Sequence, residues 1–141
     1  MRKELPLLVF LFVGAATLPS TVCLADQPND TRIVACYFHR TERCPTCQKI
    51  SQYIEGAVQD RFADETKSGD IGVKMIDYQV EESQHFTDYY EITGPTLIIM
   101  DIVDGKVKQY KRAPKVWAFV GSQEKFYDYI EKEIRGYQEA D

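Results

Sequence analysis

Apolar positions along the chain change rhythm several times, and each rhythm predicts an element. TRIVACYFH, residues 31–39, is a continuous apolar run rich in β-branched and aromatic side chains, the pattern of a buried strand. From Cys47 onward Ile50, Ile54, Ala57, Val58 and Phe62 recur at helical spacing, predicting an amphipathic helix that ends before KSGD. IGVKMIDYQV, 71–80, reads as a second strand. EESQHFTDYYEI, 81–92, reads as a short helix with Phe86, Tyr89 and Tyr90 on one side. PTLIIMDIV and KVKQYKR are strands joined by Asp104-Gly105, a dipeptide suited to a tight hairpin turn. Val116, Trp117 and Phe119 are expected to bury the approach to a last helix. Ser122 would cap that helix, which runs through Arg135 with Phe126, Tyr129, Ile130 and Ile134 toward the core.

The order is strand, helix, strand, helix, strand, strand, helix. A strand-helix-strand start implies a right-handed crossover and a parallel pair. The two-residue turn makes the last two strands antiparallel. The expected class is therefore α/β, a mixed four-stranded sheet with helices on its faces.

The first residues follow a different logic. Arg2 and Lys3 make a positive head, Leu5 to Leu18 is an almost unbroken apolar run, and CLADQ supplies small residues after it. That is the layout of a secretory signal peptide over 1–25 with cleavage after Ala25. The run is shorter than the roughly 20 residues that a spanning helix needs. Cys23 offers a second route to the membrane, by lipid attachment, but Val22 and Ser20 suit a lipoprotein signal poorly. DQPNDT, beginning at Asp26 and reaching Thr31, reads as a spacer, residues 32–137 as the domain, and 138–141 as a tail.

Processing changes the composition only slightly. Removing 25 residues from 141 leaves 116, enough for one domain with a real core. Taking Arg2, Lys3 and Glu4 from 17 basic and 22 acidic residues leaves 15 and 21, a net charge of −6. An acidic domain without a Lys/Arg cluster argues against nucleic acid or an anionic membrane surface as partner. The remaining membrane links are the signal peptide and the Cys23 route.

Three cysteines remain, Cys36, Cys44 and Cys47, and an odd number excludes a fully paired disulfide framework within one chain. His39 would complete a Cys3His zinc set, but the second ligand pair of a zinc finger is missing downstream, where His85 stands alone as a surface polar residue. Cys36, in mid-strand, reads as a small core hydrophobe. Residues alone leave Cys44-Pro45-Thr46-Cys47 open as a redox centre, a structural disulfide or a metal grip.

The segment YFHRTERCPTC at the junction of the first strand and first helix, with TGPTLII opening the third strand, resembles the thioredoxin superfamily over about residues 32–136. This version is similar to a small group of exported bacterial thioredoxin-like proteins. The resemblance implies a thioredoxin fold and a thiol:disulfide oxidoreductase that needs no bound organic cofactor or metal. Its redox group would be a Cys44–Cys47 disulfide, and its location periplasmic or otherwise exported. The partners implied are cysteine-containing proteins and a membrane or periplasmic redox partner.

The chemistry of the pair follows from its place. A thiolate, not a thiol, attacks a disulfide. Unpaired N–H groups and the positive dipole end at a helix start favour negative charge on Cys44. In such settings a cysteine pKa falls from about 8.5 into roughly 3.5–7.5. Arg40 and Arg43 are expected to help, and Pro45 suits the first helical turn. Cys44 is thus the expected nucleophile and Cys47 the thiol that resolves the mixed disulfide. Pro45 and Thr46, between them, tune redox poise. A static disulfide across so small a loop would add little stability.

The resemblance also implies that Pro95 takes the place of the family's cis-proline facing the pair, with the Gly94 backbone pairing with substrate. Departures are evident too. The family's buried Asp near the end of the first strand is absent, with Tyr37 and Phe38 in that region, and Arg43 stands where tryptophan is usual. His39 is a candidate alternative proton carrier, since imidazole titrates near neutrality. Two other readings of the same residues are a soft-metal protein carrying Cu(I) on the thiolates and a redox-inactive binding module of the same fold.

Overall fold

The computed structural model describes residues 32–139. The expected signal peptide, its cleavage site, Cys23 and the 26–31 spacer lie outside the described residues. Four strands, β1 (Ile33–His39), β2 (Ile71–Asp77), β3 (Thr96–Val103) and β4 (Lys106–Arg112), form one sheet in the order β2-β1-β3-β4. β1 and β2 are parallel; β1–β3 and β3–β4 are antiparallel. The helices are α1 (Pro45–Arg61), α2 (Ala63–Ser68), α3 (Gln84–Tyr89), α4 (Val116–Phe119) and α5 (Gln123–Gln138). This is the mixed α/β architecture read from the sequence, with α2 and α4 as additions.

β1 reads as unbroken apolar residues because it is central and covered on both faces. With side chains alternating along the strand, Ile33, Ala35 and Tyr37 join Leu97 and Ile99 beneath α1 and α5. Val34, Cys36 and Phe38 join Ile98 and Met100 on the other face, covered by Tyr90 and Ile92. Each fully buried Ile or Phe contributes about 1.5–3 kcal/mol of transfer free energy. α1 and α5 approach closely at Gly56, where an added Cβ would run into the Tyr127 hydroxyl. At the hairpin, Asp104 and Gly105 both hold positive φ, 51° and 70°, as a two-residue turn of this kind requires.

Local chemistry moved several boundaries. The start of α1 is where the sequence placed it, with Cys44 at the N-cap and Pro45 in the first turn, since proline at N1 needs no N–H partner. The helix breaks at Phe62 (φ −136°, ψ 42°) before α2 resumes, and α2 ends on Gly69 in the left-handed region. β2 stops at Asp77, three residues early. There the Asp77 carboxylate accepts from the Gln79 N–H at 2.9 Å, an Asx turn that competes with strand geometry. Residues Glu81–Ser83 form a 3₁₀ turn before α3, and of its expected apolar side only Tyr90 is buried; Phe86 and Tyr89 are exposed. Trp117 is likewise not buried but 40% exposed, because the single turn of α4 points Val116 inward and its neighbour outward. Ser122 occupies the N-cap of α5, yet its hydroxyl makes no cap hydrogen bond, and the helix continues three residues past Arg135.

Candidate active site

The C-terminal end of β1 delivers the chain into a short loop, 40–44, that is fastened to the end of β2. The Tyr78 N–H donates to the His39 carbonyl (3.0 Å), Arg40 Nε donates to the Tyr78 hydroxyl (2.9 Å), and the Thr41 N–H donates to Gln79 Oε1 (3.1 Å). The loop therefore hands α1 a fixed start. Cys44 is that start, with extended backbone (φ −67°, ψ 158°), and its sulfur takes the place of a capping oxygen, accepting the Cys47 N–H at 3.3 Å.

The two thiols differ by design of the helix turn. Cys44 is exposed and Cys47 buried, with sulfurs 2.9 Å apart. The Cys44 pKa is lowered, first by the hydrogen bond with the Cys47 thiol and then by the Cys47 and Thr46 N–H groups. The Cys47 pKa is raised by burial, and further by the neighbouring Cys44 side chain. One thiol is set to ionise and the other to stay protonated beside it, donating to the thiolate.

The two arginines act less directly than expected, Arg40 keeping part of the anticipated role. Arg43 turns inward instead of toward Cys44 and donates through Nη2 to Ser51 Oγ, while Ser51 donates to the Cys47 carbonyl at 3.2 Å. Arg40 is engaged by Tyr78 and keeps a secondary attraction to both sulfurs. The principal lowering of the Cys44 pKa comes from donors at the helix start, as the absence of any acid from the first turn of α1 permits. Pro45 and Thr46 are exposed above the pair. His39 lies opposite Asp77 in the β1–β2 register, and its Nδ1–H donates to the Arg40 carbonyl at 2.9 Å.

Gly94 and Pro95 precede β3, whose first residue, Thr96, pairs with Phe38 near the end of β1. They thus lie at the same end of the sheet as the cysteine loop. No cis peptide bond occurs among the described residues, so Gly94–Pro95 is trans, the form that X–Pro bonds favour intrinsically. The Gly94 carbonyl accepts from the Thr96 hydroxyl at 2.8 Å. Beside them Pro95, Thr96, Arg112, Pro114 and Trp117 line a cavity of about 170 Å³.

Comparisons with known proteins enter here. No known protein family matches the sequence, and no curated protein is similar to it. Among solved structures, thioredoxin O2 from Arabidopsis thaliana in its oxidized state is similar at 17% identity and a TM-score of 0.44, over 69% of this chain and 76% of that one. A chloroplastic thioredoxin z is similar at 21% identity and 0.42, over 68% and 81%. A thioredoxin from Thermus thermophilus is similar at 20% identity and 0.39, over 67% and 72%.

One residue of the site escaped the sequence reading. Tyr37 is fully buried on the α1 side of β1 with its hydroxyl toward Cys47. Alternation along β1 carries the signal: Tyr37 shares a face with Ala35 beneath α1, whereas Phe38 points away. Cys36 lies on that far face too, and burial pushes its thiol up to about 12. Among the described residues no group of three or more His, Cys, Asp or Glu is arranged to hold a metal ion.

Proposed function

We propose that the protein is an exported thiol:disulfide oxidoreductase of thioredoxin type that exchanges disulfides with cysteine-containing proteins through Cys44 and Cys47. The observation that carries this reading is the asymmetry of the pair. Cys44 caps α1 with an exposed sulfur inclined to ionise, and a protonated Cys47 sits 2.9 Å behind it. A partner disulfide meets Cys44 first, and the mixed disulfide is then opened by Cys47. The pair is itself the redox group. Export rests on the Arg2-Lys3 head and the Leu5–Leu18 run. In an oxidising compartment the pair needs a second partner, membrane-bound or periplasmic, to reset it after each turnover. Gly94 and Pro95 would face the partner chain from the β3 side.

The test is capture. Cys47→Ser is expected to accumulate covalent complexes on Cys44 in cells, and the purified pair to show a measurable reduction potential. Absence of any complex together with a pair that does not cycle would overturn the reading. Stoichiometric Cu(I) binding by the reduced protein in that case points to a soft-metal carrier.

A further inference from the structure

Two buried hydrogen-bond donors beneath the cysteine pair lack a partner at full hydrogen-bond geometry. They are the Tyr37 hydroxyl and the Arg43 Nε–H. Leaving a buried donor unmade carries a substantial penalty, so two at one place need a reason. Tyr37 faces Cys47 directly, and Arg43 is linked to it through Ser51. The Tyr37 phenol, itself wholly enclosed, faces the Cys47 sulfur from β1. Arg43 reaches under the first turn of α1 to Ser51, which in turn holds the Cys47 carbonyl, and its charge acts on Tyr37. A neutral thiol sulfur is a weak acceptor and satisfies such donors poorly. A thiolate is a strong one.

We propose that the Tyr37 hydroxyl, backed by Arg43, is a preset donor for the Cys47 thiolate, and so a positioning residue for the step in which Cys47 releases the partner. The inference rests on the oxidoreductase reading above. In that step Cys47 gives its proton to solvent and its thiolate attacks Cys44 Sγ of the mixed disulfide. The Cys44–Cys47 bond forms as the bond between Cys44 and the partner breaks. The partner sulfur leaves with the electron pair and takes a proton from solvent; the pair is oxidised by two electrons and the partner disulfide reduced by two. Tyr37 does not accept the proton, because burial and the neighbouring Cys47 hold the phenol in its protonated form. It lowers the cost of the charge that Cys47 must carry inside the fold. The groups facing Cys47 are Tyr37 from β1 and Cys44 at the head of α1, with Arg40 from the loop acting at longer range and Arg43 acting through Tyr37 and Ser51.

Tyr37→Phe removes the hydroxyl and nothing else. In a Cys44→Ser background, the pH midpoint for alkylation of Cys47, followed by peptide mass so that other thiols are counted separately, is expected to rise by about one unit. That measurement needs no redox partner, so it remains decisive even if Cys44 proves not to cycle. With both cysteines present, dithiobis(nitrobenzoate) reads the step itself through release of the second nitrothiobenzoate. At neutral pH that release should slow about threefold, a tenfold loss of thiolate being partly offset by its greater nucleophilicity. Above both midpoints the variant should match or exceed the parent. Arg43→Gln, which leaves β1 untouched, should shift the midpoint the same way by less. The reduced Tyr37→Phe protein should melt no lower than the parent, since an unmade hydrogen bond is being removed. An unchanged midpoint in both variants, or a rate lowered equally at every pH, overturns the proposal.

Discussion

Cys36 and Cys47 are both buried, and they lie on opposite sides of the same sheet. Around Cys36 the neighbours are Val34, Phe38, Tyr90, Ile98 and Met100, and burial outweighs the weaker opposing pull of the Lys74 charge; the thiol is pushed up to about 12. Around Cys47 burial acts in the same direction and the Cys44 sulfur adds to it, but the Cys44 backbone at the head of α1 and the Tyr37 hydroxyl answer it. Enclosure makes a cysteine inert, and only what is enclosed with it makes it reactive. The far face of the sheet is therefore a control built into the protein for the near one.

The largest break in that comparison comes from the pair itself. Cys44→Ser should abolish partner capture and cycling altogether, while Cys36→Ala should leave both within about twofold of the parent, as distant and uncoupled sites do; trapping in cells and a reduction titration read both. The next effect belongs to Cys36. Its folded pKa lies above the ordinary value of 9.0, so below pH 9 the thiol is neutral in both states and costs nothing. From pH 9 to about 12 the unfolded chain sheds the proton that the folded chain keeps, and stability falls with rising pH, by about 1.4 kcal/mol per unit at most. Urea unfolding across that window should show the slope, and Cys36→Ala should make it shallower.

Packing on the two faces supplies the smaller effects. Gly56→Ala forces a methyl into the Tyr127 hydroxyl between α1 and α5, which should cost about 1–3 kcal/mol in chemical denaturation. Tyr90→Phe removes only a bond from the Tyr90 hydroxyl to Met100 sulfur at 3.7 Å on the other face. A thioether accepts weakly, so the loss should stay under about 1 kcal/mol and barely move the melting temperature.

Much of this was legible because the relevant physics is periodic. The β1 run and the Ile50–Phe62 spacing report which side of an element is covered, and Pro45 after Cys44 marks a helix start in any context. Asp104-Gly105 specifies its turn by backbone geometry alone. What the sequence hid are matters of direction. Nothing in the spelling of Arg43 says that its guanidinium turns under α1 to Ser51 instead of toward Cys44. Trp117 and Val116 are adjacent and both apolar, and one turn of helix decides which is inside. The early end of β2 depends on an Asp77 side chain competing for a backbone N–H, a local bond that hydrophobic rhythm does not register. Tyr37 lay in plain view, yet its significance depends on which residue of α1 comes to rest above it.

Among the described residues the strand order leaves β4 as an outer strand of the sheet, with an edge that pairs with no further strand. Of its seven residues, Lys106, Lys108, Lys111 and Arg112 are cationic, in a chain that is acidic as a whole. Two such edges brought together would set cation against cation along their length. The strand thus deters sheet-to-sheet pairing between copies, a safeguard against aggregation at a place where backbone hydrogen bonding would otherwise invite it.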